Sequence, residues 1–314
     1  MSFLSFIWYF RTFPIFLPTL VIKNRNKLSR METIENESKA KRFGKAAIDI
    51  VAFVLLTFII TAIMTLPIAI VQQLSGKGFD SIYYYILHET LMLAGVFFSA
   101  WIVWRRRGVS LAGLRRSLAM RWKDGMAGMA LAVVLYAIGF GVSLWSGAIE
   151  VTDIAFNASS LLISLAFFLL VAVTEELALR GFVLERMLQG GVNKFCALFL
   201  SAALFSLIHI ANPNFNAMAF VNILLAGILL GSSYIYTRNL CFPIALHWFW
   251  NWIQGPVLGY EVSGNNFCDG MLTLHLPEAN LINGGAFGFE GSIVCTALLV
   301  VGTVVVISSV VISD

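Results

Sequence analysis

The chain has 314 residues, of which 59% are hydrophobic and only 12% are charged, and its mean hydropathy is +0.85. Soluble globular domains contain about 45–50% apolar and about 25% charged residues, so this composition excludes a soluble fold and equally a disordered or collagen-like chain. The net charge of +4 does not indicate a nucleic-acid partner, because the basic residues lie in loops between apolar segments.

Eight segments are long and apolar enough to cross a lipid bilayer as helices. A spanning helix needs about 20 mainly apolar residues, whereas a β-barrel would show alternating segments of about ten residues, and none is visible. The sequence therefore predicts an all-α, polytopic bundle of transmembrane helices. In chain order, the predicted spans are 46–72, 82–104, 126–148, 160–180, 195–211, 216–237, 241–260 and 291–312.

These spans divide the chain into four parts. They are a basic segment, 1–45, that is cytoplasmic or interfacial; spans one to three, 46–150; a core with spans four to seven, 158–262; and an acidic loop with the last span, 263–314. Trp8 and Tyr9 fit an interfacial anchor at headgroup level. The alternative is that the first thirty residues have no structural role and that Met31 is the true start.

The distribution of basic residues sets the predicted orientation. In the eight-span arrangement, 20 of the 21 lysines and arginines lie on the side of the N-terminus, and only Lys77 lies on the other. The loop 261–290 carries four acidic residues and no basic one. Because cytoplasmic loops are enriched in Lys and Arg, we expect both termini in the cytoplasm and a multi-pass protein of the cell membrane.

Three charged residues interrupt the fourth predicted span. Glu175, Glu176 and Arg180 lie within an apolar run, where each charge costs about 2.5–3.5 kcal/mol near a helix centre. Glu176 and Arg180 have the i,i+4 spacing, with the acid first, which favours an ion pair along the helix. Glu175 lies about 100° around the helix and has no local partner.

Two later helices carry polar side chains at the same spacing. Phe205 precedes His209 by one turn, and His247 precedes Asn251 by one turn. Each residue alone fits a hydrogen bond between helices. Together with Glu175, however, two imidazoles and an amide on neighbouring helices are the groups that a water-activating site needs.

The depth of these groups constrains the fourth helix. Glu175 falls near the inner end of its predicted span and His209 near the outer end of the next. The two reach one depth only if the fourth helix continues past Arg180 to about Met187, so we expect a long helix there.

Two further motifs are not interpreted as functional sites. His88 and Glu89 resemble the start of H-E-x-x-H, but Met92 replaces the second histidine, so no zinc-binding helix is predicted. Gly227 and Gly231 form G-x-x-x-G, which favours close packing of helices.

The three motifs resemble a known family in their order and helical context. Glu175-Glu176-x-x-x-Arg180, Phe205-x-x-x-His209 and His247-x-x-x-Asn251 are similar to the motifs of the CAAX protease and bacteriocin-processing family, also called CPBP or Abi intramembrane endopeptidases. The resemblance covers about 158–262, and residues 1–150 and 263–314 show nothing diagnostic.

The resemblance implies a hydrolase that cuts a peptide bond of a membrane-associated or lipidated peptide or protein. It further implies that Glu175 and His209 activate the attacking water and that His247 and Asn251 form the oxyanion hole. Glu176, Arg180 and Phe205 would support these four catalytic residues.

Alternatives to this interpretation remain open. The family's glutamate-based chemistry implies no cofactor, but zinc held by Glu175, His209 and His247 is a second possibility. A non-catalytic immunity or binding protein could use the same fold. A proton-coupled transporter ranks last, since the internal repeat typical of transporters is missing. The predicted partners are a peptide or protein substrate and the lipid bilayer, and the oligomeric state is left open.

Overall fold

The computed structural model describes residues 17–75, 81–107 and 121–313, and over these ranges the chain forms eight helices, each overlapping one predicted span. The helical bundle is thus confirmed. The helices are α1 Leu17–Ser75, α2 Ile82–Arg107, α3 Trp122–Trp145, α4 Ala158–Gln189, α5 Lys194–Ile208, α6 Ala217–Thr237, α7 Cys241–Trp252 and α8 Ile293–Ser313.

Five of the described helices, α1 to α4 and α6, are long and apolar enough to cross a membrane. Three predicted spans, 126–148, 195–211 and 241–260, extend beyond the C-terminal ends of α3, α5 and α7. α5 ends at Ile208, and residues 209–211 form turns ahead of Pro213. α7 ends at Trp252 and passes into a π-helical turn, Ile253–Val257, that contains Pro256. The count of eight spans and the side of the termini stay predictions.

The N-terminal basic segment does not end at a break in secondary structure. α1 is one helix of 59 residues, and it is continuous across residue 45 into the first apolar span. The predicted interfacial anchor at Trp8 and Tyr9 lies outside the described residues, as does most of the predicted basic loop 105–125.

Two short strands depart from the all-α prediction. β1, Glu150–Ile154, pairs antiparallel with β2, Leu272–His275. β1 follows α3 and β2 lies in the long loop between α7 and α8, so the pairing joins two segments that are far apart in the chain. The β-branched residues of β1 favour an extended conformation.

α7 occupies the centre of the bundle. It packs against α3 on one side and α4 on the other, while α5 and α8 pack against α6, and α2 packs against α1 and α4. A Cβ at Gly128 of α3 would lie 2.6 Å from the carbonyl oxygen of Phe242 in α7. A Cβ at Gly227 of α6 would lie 2.8 Å from Ala202 of α5, which confirms the packing role predicted for this glycine.

α4 is long, as the depth argument predicted. It is α-helical over Ala158–Glu176, π-helical over Leu177–Leu184 and α-helical again over Glu185–Gln189. The wider π-helical turns begin directly after Glu176 and contain Arg180. Such segments occur frequently at functional sites.

Ion pairs fix the C-terminal end of α4 to its neighbours. Arg186 pairs with Asp49 of α1. Glu185 accepts hydrogen bonds from Arg238 at 2.7 Å and from the hydroxyl of Tyr234 at 3.1 Å. These contacts connect α4 to α1 and to the end of α6.

Candidate active site

A cavity of about 680 Å³ lies between α1, α2, α4, α5, α6 and α7, and most of the side chains that line it are apolar. The four predicted catalytic residues all line this cavity: Glu175, His209, His247 and Asn251. Glu176 and Arg180 do not line it and are completely buried behind its wall. The structure therefore brings the four residues together and separates them from the predicted supporting pair.

The predicted ion pair between Glu176 and Arg180 is confirmed. Nη1 of Arg180 donates to Oε1 of Glu176 at 2.6 Å, and both side chains are at most 1% exposed. Nη2 donates to the carbonyl oxygen of Gly227 at 3.1 Å, and the guanidinium carbon lies 4.7 Å from the centre of the Phe205 ring. Each contact offsets part of the cost of burying the charge.

His247 connects the two glutamates of the first motif. Its Nδ1 lies 3.0 Å from Oε1 of Glu176, and its Nε2 lies 3.7 Å from Oε2 of Glu175. A carboxylate only accepts hydrogen bonds, so Nδ1 carries a proton and donates to Glu176. Glu175, which has no local partner on its own helix, thus faces an imidazole from α7.

His209 follows the last residue of α5 and has its orientation fixed by the preceding turn. Its Nδ1 lies 2.7 Å from the carbonyl oxygen of Phe205, which can only accept, so the proton is on Nδ1. In the neutral ring, Nε2 then keeps a lone pair. The Phe205 ring lies edge-on to both histidines, with centroid distances of 4.8 Å to His209 and 6.0 Å to His247.

A buried carboxylate outside the motifs holds α7 in place. Glu290 accepts a hydrogen bond from the indole of Trp250 at 3.0 Å, and its second oxygen accepts from the backbone and hydroxyl of Ser263 and from Gln254. Trp250 directly precedes Asn251 in α7. Glu290 was predicted as part of an acidic loop, yet it is only 7% exposed.

Two further indoles attach α7 to α4. Trp248 and Trp252 donate to the carbonyl oxygens of Leu165 and Leu161, at 2.8 and 3.1 Å. With Trp250, they hold the helix that carries His247 and Asn251 on two sides.

His88 and Glu89, set aside at the sequence level, also line the cavity. Oε1 of Glu89 is buried and has no hydrogen-bond partner within the described part of the chain. The absence of a second histidine at Met92 argues against a zinc-binding helix, but it does not indicate where the Glu89 carboxylate of α2 lies relative to α4 and α7.

The metal-binding alternative has no preformed ligand cluster. Over residues 17–75, 81–107 and 121–313, no group of three or more His, Cys, Asp or Glu side chains is arranged to hold a metal ion. Glu175, His209 and His247 share the cavity without forming such a group. The metal-free mechanism stays a prediction.

The part of the chain that contains the site matches a model of a known protein family. Residues 157–253 match the family model described as type II CAAX prenyl endopeptidase Rce1-like. No curated protein and no solved structure matches the chain. The matched segment contains all three motifs and all four candidate catalytic residues, so the predicted resemblance to the CAAX-type membrane proteases is confirmed.

Proposed function

We propose that the protein is an intramembrane endopeptidase that hydrolyses a peptide bond of a membrane-associated or lipidated peptide or protein. One observation carries the proposal. Glu175, His209, His247 and Asn251 converge on a single apolar cavity, inside the segment that matches a family of CAAX-type peptidases.

In this proposal, Glu175 is the general base. Its side chain is 26% exposed and lines the cavity, whereas Glu176 is fully buried and is already bonded to Arg180 and His247. Glu175 takes a proton from water as the oxygen attacks the carbonyl carbon, and it returns that proton to the leaving amine. Nε2 of His209 accepts a hydrogen bond from the same water and orients it.

His247 and Asn251 stabilise the oxyanion. They lie one turn apart on α7, and a donor of this kind contributes about 3–4 kcal/mol to lowering the barrier. Because Nδ1 of His247 donates to Glu176, its Nε2 donates to the oxyanion only when the ring carries both protons. Glu176 therefore determines which nitrogen of His247 is available to the substrate.

The remaining features of the proposal concern the membrane and the metal. The proposed protein crosses the cell membrane eight times and has both termini in the cytoplasm. The eight helices and the distribution of lysine and arginine support this topology. The proposed chemistry needs no metal ion. Glu175 is the base, His209 orients the water, and His247 donates to the oxyanion together with Asn251.

The test compares membranes that contain the wild-type protein with membranes that contain Glu175→Gln, using mass spectrometry to find peptides that accumulate in the variant. With those peptides and purified protein, Glu175→Gln and His209→Ala should reduce turnover to background. Asn251→Ala should reduce turnover by about 10²–10³-fold, since it removes one donor. Glu150→Gln, at an exposed strand position, is the matched control.

Two outcomes would contradict the proposal. Full biological function of Glu175→Gln, with the variant inserted normally, would indicate a binding or immunity role instead of proteolysis. Activity that is abolished by chelators and restored by zinc would make Glu175, His209 and His247 metal ligands.

A further inference from the structure

Acidic side chains line the described part of the cavity without a lysine or arginine beside them. Three carboxyl side chains reach its wall: Glu89 from α2, Glu175 from α4, and Glu290 from the segment that precedes α8. Among the described lining residues there is no lysine and no arginine. The guanidinium of Arg180 lies behind the wall and is bonded to Glu176 and Gly227.

Of these three carboxyl groups, Glu89 is the one that has no proposed catalytic or structural role and has an oxygen without a hydrogen-bond donor among the described residues. Glu290 accepts hydrogen bonds from Trp250, Gln254 and Ser263, and Glu175 faces His247 in the proposed catalytic site. Oε1 of Glu89, in contrast, is buried without a hydrogen-bond partner in the described part of the protein.

The hydroxyl of Thr174 lies within hydrogen-bonding reach of the Glu89 side chain. That hydroxyl also donates to the carbonyl oxygen of Leu170 at 2.8 Å, and its single proton cannot serve both acceptors at once. A buried acceptor without a donor is unfavourable, and more so when it belongs to a charged group. A ligand that brings a donor into the cavity would remove this cost, so binding of such a ligand is favoured over binding of an apolar one of equal size.

Glu89 lines the same cavity as the proposed catalytic residues. Its side chain shares that cavity with Glu175 and His247. A group held by Glu89 therefore belongs to a substrate residue near the bond that is cut. A carboxylate at that place would meet Glu89 and Glu175 with no lysine or arginine among the described lining residues to balance its charge.

We propose that Glu89 is a specificity-determining residue that binds the ammonium or guanidinium group of a lysine or arginine in the substrate. The inference rests on the proposed peptidase function and adds to it a class of substrate. The segment in the cavity is apolar with one basic residue close to the scissile bond. A segment that puts a free carboxylate at this subsite is disfavoured.

The test measures binding and needs no turnover. Wild type and Glu175→Gln, in lipid nanodiscs at pH 7, are titrated with octylamine, octanol and octanoate, three probes that share one alkyl chain and differ in the charge of the head group. Octylamine should bind most tightly and octanoate most weakly. Glu89→Gln should remove the advantage of octylamine over octanol, which we expect to be about 10- to 100-fold in Kd, and Glu89→Lys should favour octanoate.

The controls separate this inference from the proposed function. Glu150→Gln, outside the cavity, should keep the wild-type order of the probes. If Glu89→Gln is not recovered folded, Glu89→Asp serves in its place, because the shorter side chain keeps the charge and should weaken octylamine binding alone. Equal binding of the three probes to wild type, or an octylamine preference that survives in Glu89→Gln, would overturn the proposal. Neither result depends on whether Glu175→Gln abolishes proteolysis.

Discussion

Arg180 is the residue whose loss should most reduce stability. Arg180→Ala removes the hydrogen bond to Glu176, the hydrogen bond to Gly227 and the contact with the Phe205 ring. Glu176 then keeps one donor, Nδ1 of His247, at a position that is 0% exposed, and its Oε2 already lacks a partner in the described structure. Leaving one member of a buried pair uncompensated costs about 3–5 kcal/mol.

The measurement is the free energy of unfolding in mixed micelles, with intrinsic tryptophan fluorescence as the signal; three of the eight tryptophans lie on α7. Arg238→Ala is the matched control, because it also breaks an Arg–Glu pair, with Glu185, but the two side chains are 37% and 20% exposed. That loss should be about 1 kcal/mol or less. The difference between the two variants isolates the effect of burial.

A double variant tests the explanation itself. In Arg180→Ala with Glu176→Gln, the uncompensated charge is gone, so part of the lost stability should return. If Arg180→Ala is no less stable than Arg238→Ala, or if the double variant is simply the sum of both losses, then Glu176 is hydrated in the folded protein and the reasoning fails.

Two other predictions concern the fixation of α7 and the topology. Glu290→Gln should lower the free energy of unfolding by about 1–3 kcal/mol, because an amide nitrogen replaces one of the oxygens that accept from Trp250, Gln254 and Ser263. An unchanged free energy of unfolding in the same micelles would refute the role of Glu290 in positioning α7. Single cysteines introduced as Ser110→Cys and Glu278→Cys, in a background without the native cysteines, should react with a membrane-impermeant maleimide from opposite sides, and labelling from one side would exclude the eight-span model.

The features that could be predicted from sequence are those set by composition and by spacing within one helix. The apolar runs located all eight helices, because helices in lipid must satisfy their backbone internally and so need long uninterrupted segments. The pair of Glu176 and Arg180 followed from four-residue spacing. The continuation of α4 beyond Arg180 followed from the need to bring Glu175 to the depth of His209.

The features that could not be predicted depend on contacts between segments far apart in the chain. Glu290 and Ser263 meet Trp250 only after the loop before α8 has folded back over α7. Glu89 faces the cavity because α2 packs against α4. A glutamate next to an apolar segment has the same sequence pattern whether its side chain is hydrated or buried. Residue spacing along the chain therefore does not distinguish the two environments.

The π-helical segment of α4 limits the insertions and deletions that the protein tolerates. Deleting one residue within Leu177–Leu184 would allow a regular α-helix, but each residue of such a helix turns it by about 100° and advances it by about 1.5 Å. Glu176, held by His247, and Glu185, held by Arg238, would then no longer face their partners together. A deletion that makes the helix more regular should therefore be worse for the protein than many substitutions, and relatives that share both contacts should have the same number of residues between them.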